Sequence, residues 1–374
     1  MRSCKRIAIL VPCLSLGGAE RQISLIAPRL LQSGFEVIVI SMISPLAFVD
    51  EMSKEGVKIF SLNMQQGQYS LKALFRLLTI LKKNAIKCLI TFNYPANITG
   101  RILKLFFPAL KLITSIRSST FGSSSRTSLM KITRGFDETT VVNSNVVARA
   151  FLDEKVILGS RLKIILNGVI VRRDSEQEAL RRCGSKLRKE FVPTSSDCFV
   201  WVAVGRHEVP KDYPTLIDAC SLFDVRIKNW ILIIVGDGSL KEATESYIRE
   251  KGLEKKILLV GKKENVFPYY YAADAYVSSS AWEGMPNTLI EAMLHECPAV
   301  ATSVGEVPNL LKDKINGYIA SPRNAKSIAD AMTHMMQLTS PDRCNFVRTA
   351  RQMVTDQLNI DKIVNQWKEV LKAD

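Results

Sequence analysis

Histidine is nearly absent from this chain: three among 374 residues, at positions 207, 295 and 334. Scattered singly, they form no metal-binding set. The eight cysteines (4, 13, 88, 183, 198, 220, 297 and 344) contain no C-x-x-C, which argues against a zinc site or a redox pair. Several lie inside apolar runs, where a thiol behaves as a small hydrophobe, and the set fits a reducing cytosol. No apolar run is long enough to span a bilayer. There is no G-x-G-x-x-G and no G-x-x-x-x-G-K-[ST], so neither a Rossmann dinucleotide site nor a P-loop is supported. Low-complexity tracts and short-period repeats are absent too.

What is present is a globular composition, 47% hydrophobic and 23% charged, on a chain too long for one ordinary core. Two domains are expected. The net charge of +15 is uneven: residues 1–165 hold 23 Lys+Arg against 9 Asp+Glu, and the remainder 28 against 27. A basic half suits nucleic acid or an anionic membrane, although many proteins carry surplus lysine for no such reason. The basic Met1–Arg6 followed by the apolar 7–16 resembles a signal peptide, but reads equally as a first buried strand and a Gly-rich turn. An amphipathic helix follows at once and leaves no cleavage region, so the strand reading is preferred.

Strand-like and helical runs alternate. Ile7–Val11, Val37–Ser41, Val57–Leu62, Cys88–Phe92, Leu112–Ile116 and Thr139–Val142 are short, apolar and rich in β-branched residues, with helical runs at 19–32 and 70–83. Such strands are buried on both faces of a parallel sheet wrapped by helices. Polar residues 172–197 read as a linker containing a short helix, Glu176–Phe191. The series then restarts with Phe199–Val204, Ile231–Val235, Ile257–Val260, Ala275–Ser278 and Ala299–Ala301, separated by helical runs at 214–224, 239–251, 265–272, 288–295 and 324–338. The last helical run, about 358–372, stands apart from the second series and is expected to pack back on the first domain. The fold class is α/β, with two doubly wound parallel sheets whose ligands bind beyond the carboxyl ends of the strands. Two such domains facing each other would enclose a cleft.

The most informative segment is Glu283-Gly-Met-Pro-Asn-Thr-Leu-Ile-Glu291, at a strand-to-helix junction. Unpaired backbone amides at such a junction favour an anion, and the flanking carboxylates suit hydroxyls, so the segment points to a nucleotide-sugar. Arg206 and Lys211, in the loop after Phe199–Val204, can clamp a diphosphate; alternatively they are two exposed loop cations. Gly17 and Gly18 let backbone amides approach a phosphate, or merely form a tight turn. Gly236-Asp237-Gly238 ends one strand, and Gly261 ends the next, where it can border a base. No Asp-x-Asp occurs, so no cofactor is expected: cations and helix dipoles, not a divalent metal, would neutralise the leaving phosphate.

Together these residues resemble the large family of retaining glycosyltransferases commonly called family 4, of the GT-B fold and the bacterial surface-polysaccharide type. The Glu283…Glu291 segment is the specific element. Gly17-Gly18-Ala19-Glu20-Arg21, Asn167-Gly168-Val169, Val204-Gly205-Arg206 with Lys211, and Val235-Gly236-Asp237-Gly238 follow in the family's order. The resemblance implies an acceptor-side domain over 1–166, a nucleotide-sugar domain over 167–355 and a C-terminal helix, 356–374, crossing back. It implies that Glu283 contacts the donor sugar, Glu291 the ribose, and Arg206 and Lys211 the diphosphate. The backbone of Gly284, Met285, Pro286, Asn287, Thr288 and Leu289 would reach sugar and phosphates, and Gly17 and Gly18 would close over the donor. Many relatives carry a His after the strand Leu112–Ile116; this chain has Arg117, a candidate sugar or acceptor contact that cannot act as a base at neutral pH. Ile170 also stands where an acid often follows Asn-Gly-Val.

The resemblance implies transfer of a hexose or N-acetylhexosamine, most simply from a UDP-sugar, to a lipid-linked glycan for O-antigen, capsule or related polymers. Localisation would be cytoplasmic, peripheral on the inner face of the membrane. The stretches 71–83 and 100–107 mix apolar and cationic residues, which suits a helix on anionic lipid and equally suits core helices with basic outer faces. Lys72, Arg76, Lys82, Lys83, Arg101 and Lys104 are the candidate headgroup contacts. The rivals are another GT-B enzyme, an epimerase or hydrolase, and a basic nucleic-acid-binding protein. The last lacks any RRM, KH or zinc-finger pattern, so no nucleic-acid partner is expected.

Overall fold

A computed structural model describes residues 5–15, 17–65, 67, 70–192, 197–224, 227 and 229–372. Cys4 lies outside them. The chain divides into two units, residues 1–168 with 358–374, and residues 169–357.

The first unit alternates β1 (Arg6–Val11), α1 (Gly18–Gln32), β2 (Glu36–Ser41), α2 (Val49–Lys54), β3 (Lys58–Ser61), α3 (Leu71–Lys83), β4 (Cys88–Phe92), α4 (Asn93–Phe106), β5 (Lys111–Ile116), α5 (Ser124–Ile132), β6 (Thr139–Val142), α6 (Asn145–Asp153) and β7 (Leu162–Ile164). The seven strands are all parallel in the order β3-β2-β1-β4-β5-β6-β7. β1 is central, with Ile7 opposite Val37 on one side and Cys88 on the other. Its residues Ile7–Val11 are fully buried, as an unbroken apolar strand between two helical layers must be. The strand order reverses beside β1, so right-handed crossovers place α1 and α2 on one face and α3, α4 and α5 on the other.

The second unit opens with α7 (Asp174–Phe191), followed by β8 (Phe199–Val204), α8 (Tyr213–Asp224), β9 (Trp230–Val235), α9 (Lys241–Glu250), β10 (Ile257–Leu259), α10 (Phe267–Ala272), β11 (Ala275–Ser278), α11 (Asn287–Leu294), β12 (Ala299–Thr302), α12 (Val307–Leu310), β13 (Tyr318–Ala320), α13 (Ala325–Met336) and α14 (Ser340–Leu358). Its six parallel strands run β10-β9-β8-β11-β12-β13 around a core centred on Trp201, Phe223 and Trp230. The helix expected at 176–191 forms, as α7, but it belongs to the second unit and not to a linker. α7 is 18 residues long and packs on α10, where Gly184 lies so close that a Cβ would come within 2.6 Å of Tyr271 Cβ. Arg188 fastens it to Asp274 (2.8 Å) and to the Ala272 and Cys198 carbonyls. The charged outer face of this helix concealed its narrow packing stripe.

α15 (Ile360–Lys372) belongs to the first unit and packs on α1. Trp367 stacks on Phe92 with ring centroids 6.0 Å apart, and Lys111 Nζ donates to the Val370 carbonyl at 3.1 Å. The Gln22 amide accepts from Gly168 N (2.6 Å) and donates to Gly168 O (2.9 Å), fixing the point where the chain leaves this unit.

Candidate functional site

The loops at the carboxyl ends of β8, β9, β11 and β12 are sewn into one rim by backbone bonds. His207 N donates to Asp237 O (3.1 Å), Ala281 N to Pro210 O (2.8 Å) and Glu306 N to Gly284 O (3.1 Å). Two glycines permit this approach. Gly236, at φ +156°, would drive a Cβ into the Gly205 carbonyl; Gly305, at φ +52°, would set one 2.5 Å from the carbonyls of Glu283 and Gly284.

On this rim Lys211 Nζ meets Glu283 Oε1 at 2.5 Å, and the Ser280 hydroxyl donates to the same oxygen at 2.9 Å. Both side chains of the pair are about four-fifths buried, at 21% and 17% exposure. Burial alone would lower the Lys211 ammonium, but the Glu283 carboxylate outweighs it and holds the ammonium above the ordinary lysine range. Ser279 donates to the Lys211 carbonyl at 2.8 Å, and Lys211 packs over Gly205, so the lysine is fixed at backbone and stem.

Glu291, on α11, accepts from the Tyr270 hydroxyl at 3.0 Å. Tyr270 is buried, and burial together with the Glu291 charge raises its phenol well above the ordinary value. Tyr270 packs near Tyr276 (centroids 6.1 Å apart), whose hydroxyl lies 2.8 Å from Thr288 Oγ1. Burial raises Tyr276 too, Lys211 draws it down, and Glu283 pushes it up, so this phenol senses the ion pair. The two tyrosines thus join the Glu291 contact to the Lys211–Glu283 pair. Met285, Pro286 and Leu289 are buried, while Gly284, Asn287 and Thr288 are half-buried. Pro286 supplies no side-chain cap to α11; Asn287 N donates to Met285 O at 3.0 Å and Ile290 N to Pro286 O at 3.1 Å.

Arg206 lies exposed in the same β8 loop and is felt electrostatically at Lys211. Gly261, at φ +72°, accepts from Gly236 N at 3.0 Å and faces open space. Ser239 donates to Glu208 through N and Oγ, which lowers that carboxyl and ties the β9 loop to the β8 loop. Buried His207 pairs with Thr244 (3.2 Å) and packs on Tyr213, so it is part of the scaffold. Among the described residues, no three His, Cys, Asp or Glu side chains cluster as metal ligands.

The remaining candidates stand on the first unit. Gly17 is the N-cap of α1 with no side-chain cap, and Gly18 opens the helix. A Cβ on Gly17 would collide with the Glu20 carboxylate, so an internal anion already lies against this helix start. Arg117 follows β5 and is tightly held: Nη1 donates to Asn167 Oδ1 (2.9 Å), Nε to Ser115 Oγ (2.8 Å), and the guanidinium lies over Phe92 and Trp367. Its Nη2 is buried with no hydrogen-bond partner among the described residues. Burial lowers the guanidinium to about 9, so it remains a cation at neutral pH.

Sequence reading missed Ser280, Tyr270 and Tyr276. The available signal was a tyrosine inside the apolar strand 275–278: a buried phenol requires a polar partner.

Residues 16–173 match the Glycosyltransferase Family 4 model, and residues 198–337 match that of the glycosyl transferases group 1. An uncharacterized glycosyltransferase of Methanocaldococcus jannaschii is 26% identical, over 59% of this chain and 62% of that protein. The UDP-Gal:alpha-D-GlcNAc-diphosphoundecaprenol alpha-1,3-galactosyltransferase of Escherichia coli is 22% identical, over 80% of this chain and 79% of its own length. Among solved structures, Anabaena HepE in complex with UDP and glucose superposes with a TM-score of 0.83 at 19% identity, over 98% of this chain and 99% of that one. Two all-parallel Rossmann-like sheets with this match define the GT-B fold. The chain belongs to the family 4 glycosyltransferases.

Proposed function

We propose that this chain is a retaining glycosyltransferase. It moves a hexose or N-acetylhexosamine from a UDP-sugar to a lipid-linked glycan in surface-polysaccharide synthesis, at the inner face of the cytoplasmic membrane. The observation that carries this reading is the Lys211–Glu283 pair beside α11, with Glu291 held by Tyr270 on the same helix. The E. coli relative's diphosphoundecaprenol acceptor and the UDP bound to HepE support the choice of substrates.

The chemistry follows from charge. As the anomeric carbon–oxygen bond breaks, negative charge grows on the departing diphosphate. The Lys211 ammonium has three donors, so it can keep Glu283 and still receive a phosphate oxygen. Arg206, exposed beside it, supplies a second cation and a bidentate fork. Glu283 meets the donor sugar and, being bound to Lys211, does so without a bare anion facing the phosphate. Glu291 takes the ribose hydroxyls, and the Gly284–Leu289 backbone lies along sugar and phosphates. Gly261 borders the base. The acceptor attacks from the face the phosphate leaves, and that phosphate takes the acceptor proton.

A thermal-shift panel of UDP, GDP, ADP and their sugars tests the donor: UDP and one UDP-sugar should raise the melting temperature. Radiolabelled donor with lipid extract tests the transfer; epimerised or free sugar alone would point to the epimerase or hydrolase reading. Because cations stand where a metal would otherwise neutralise charge, EDTA should leave transfer intact; loss restored by added magnesium would refute metal independence.

A further inference from the structure

From residue 56 to residue 136 the sequence contains no Asp or Glu, while it holds 13 Lys and Arg. This stretch supplies α3, α4 and α5, which lie side by side on one face of the first sheet. α3 and α4 share one core cluster, and Lys82 lies over the Phe107 ring at 5.5 Å. α4 and α5 are joined by Arg101, which donates to the Met130 carbonyl at 2.8 Å.

The outward side of this layer is apolar as well as cationic. Leu71 and Phe75 on α3, Leu105 and Phe106 on α4, and Ile132 on α5 are 59% to 80% exposed. Each helix already buries another face, as with Ala73, Leu77, Ile80 and Leu81 of α3, so these side chains are surplus to the core. Lys72, Arg76, Lys83 and Lys131 stand exposed among them. Two sequence candidates do not: Arg101 is buried in a bidentate pair with Asp137, and Lys104 binds Glu138 and the carbonyls of Pro108 and Leu110. The first two acids after the stretch, Asp137 and Glu138, are therefore neutralised from within.

We propose that the α3–α4–α5 layer is a docking face for an anionic phospholipid bilayer. The exposed cations meet headgroups, and Leu71, Phe75, Leu105, Phe106 and Ile132 enter the acyl boundary. This identifies the membrane partner of the proposed function and rests on that reading. Charge complementarity selects the occupant: phosphates satisfy the cations, and only lipid also gives the bulky aliphatic side chains a partner. A nucleic acid would leave Leu71, Leu105 and Ile132 in water.

The full chain is sedimented with vesicles of phosphatidylglycerol and phosphatidylcholine, and with phosphatidylcholine alone. Binding is expected only to the anionic vesicles. Each cation near the surface is worth about fivefold in partition, so K72E/R76E should weaken binding by ~20-fold or more. Phe75→Ser with Phe106→Ser should weaken it further at high salt, where the electrostatic part is screened. Phe106→Trp should shift its emission to the blue on anionic vesicles. Ile315→Ser, an exposed apolar residue of the second unit, should change nothing. Binding to neither vesicle, an unshifted Phe106→Trp emission, or equal loss in Ile315→Ser would overturn the proposal, as would capture of a nucleic-acid oligonucleotide without vesicle binding. All variants should keep the UDP thermal shift. If that shift is absent in the parent chain while vesicle binding persists, the donor reading fails and the docking face stands.

Discussion

Glu283 and Glu291 stand eight residues apart on one segment yet are held by different chemistry, so their variants should separate turnover from binding. Glu283→Gln keeps the Ser280 bond but removes the charge that holds Lys211. Transfer should fall about 10²–10³-fold, the usual loss for a contact that matters mainly in the transition state, with the UDP thermal shift retained. Tyr270→Phe removes one hydrogen bond from the Glu291 carboxylate, worth ~1 kcal/mol. It should weaken UDP severalfold with little change in turnover at saturating donor, and Glu291→Ala should weaken UDP more. Steady-state kinetics with calorimetric UDP titration checks both. Full activity in Glu283→Gln would count against the assignment. The sequence revealed the acids and Lys211 because they lie in one loop and one segment. It hid Tyr270 and Tyr276 because their partners on α11, Glu291 and Thr288, lie 21 and 12 residues further along the chain, and Ser280 because a serine three residues before an acid carries no signal of its own.

Among the elements, short apolar strands were legible because burial on both faces leaves little room for polar residues. Long polar helices were not. α14 is polar along most of its length and passed unread, yet Phe346, Ala350, Val354 and Leu358, spaced by four, are all buried. α7 was read as a helix, but as part of a linker and not of the second unit. By contrast α15 shows its stripe openly, with Ile360, Ile363, Val364, Trp367, Val370 and Leu371 buried on one side. Trp367 is its anchor, stacked on Phe92 beneath the Arg117 guanidinium. Arg117 therefore holds an aromatic pair and Asn167 in place. Trp367→Ala removes a fully buried indole and should cost ~3–5 kcal/mol. The loss should appear as a lower urea midpoint for the first unit, read by limited proteolysis within residues 88–117. An unchanged midpoint would mean that α15 contributes little to this fold.

At the scale of the whole molecule, the two units have separate cores, and all three histidines lie in the second. His295 is buried between Phe267 and Tyr271, with Nδ1 2.8 Å from the Glu291 carbonyl. Burial lowers it from 6.5 to about 4, and burial lowers His207 as well. In the unfolded chain these imidazoles take up protons near 6.5; in the folded chain both resist until the pH is lower, His295 until about 4. Their neutral burial therefore adds stability that is complete above pH 6.5 and is lost as the pH falls toward 4, about 3 kcal/mol at most for His295. Calorimetry should resolve two transitions. Acidification between those values should lower the one belonging to the second unit, and UDP at neutral pH should raise the same one. His295→Gln should flatten the acid slope of that transition. If the slope survives the substitution, carboxylates and not the buried imidazole control it; if UDP raises the other transition, the donor site lies on the first unit.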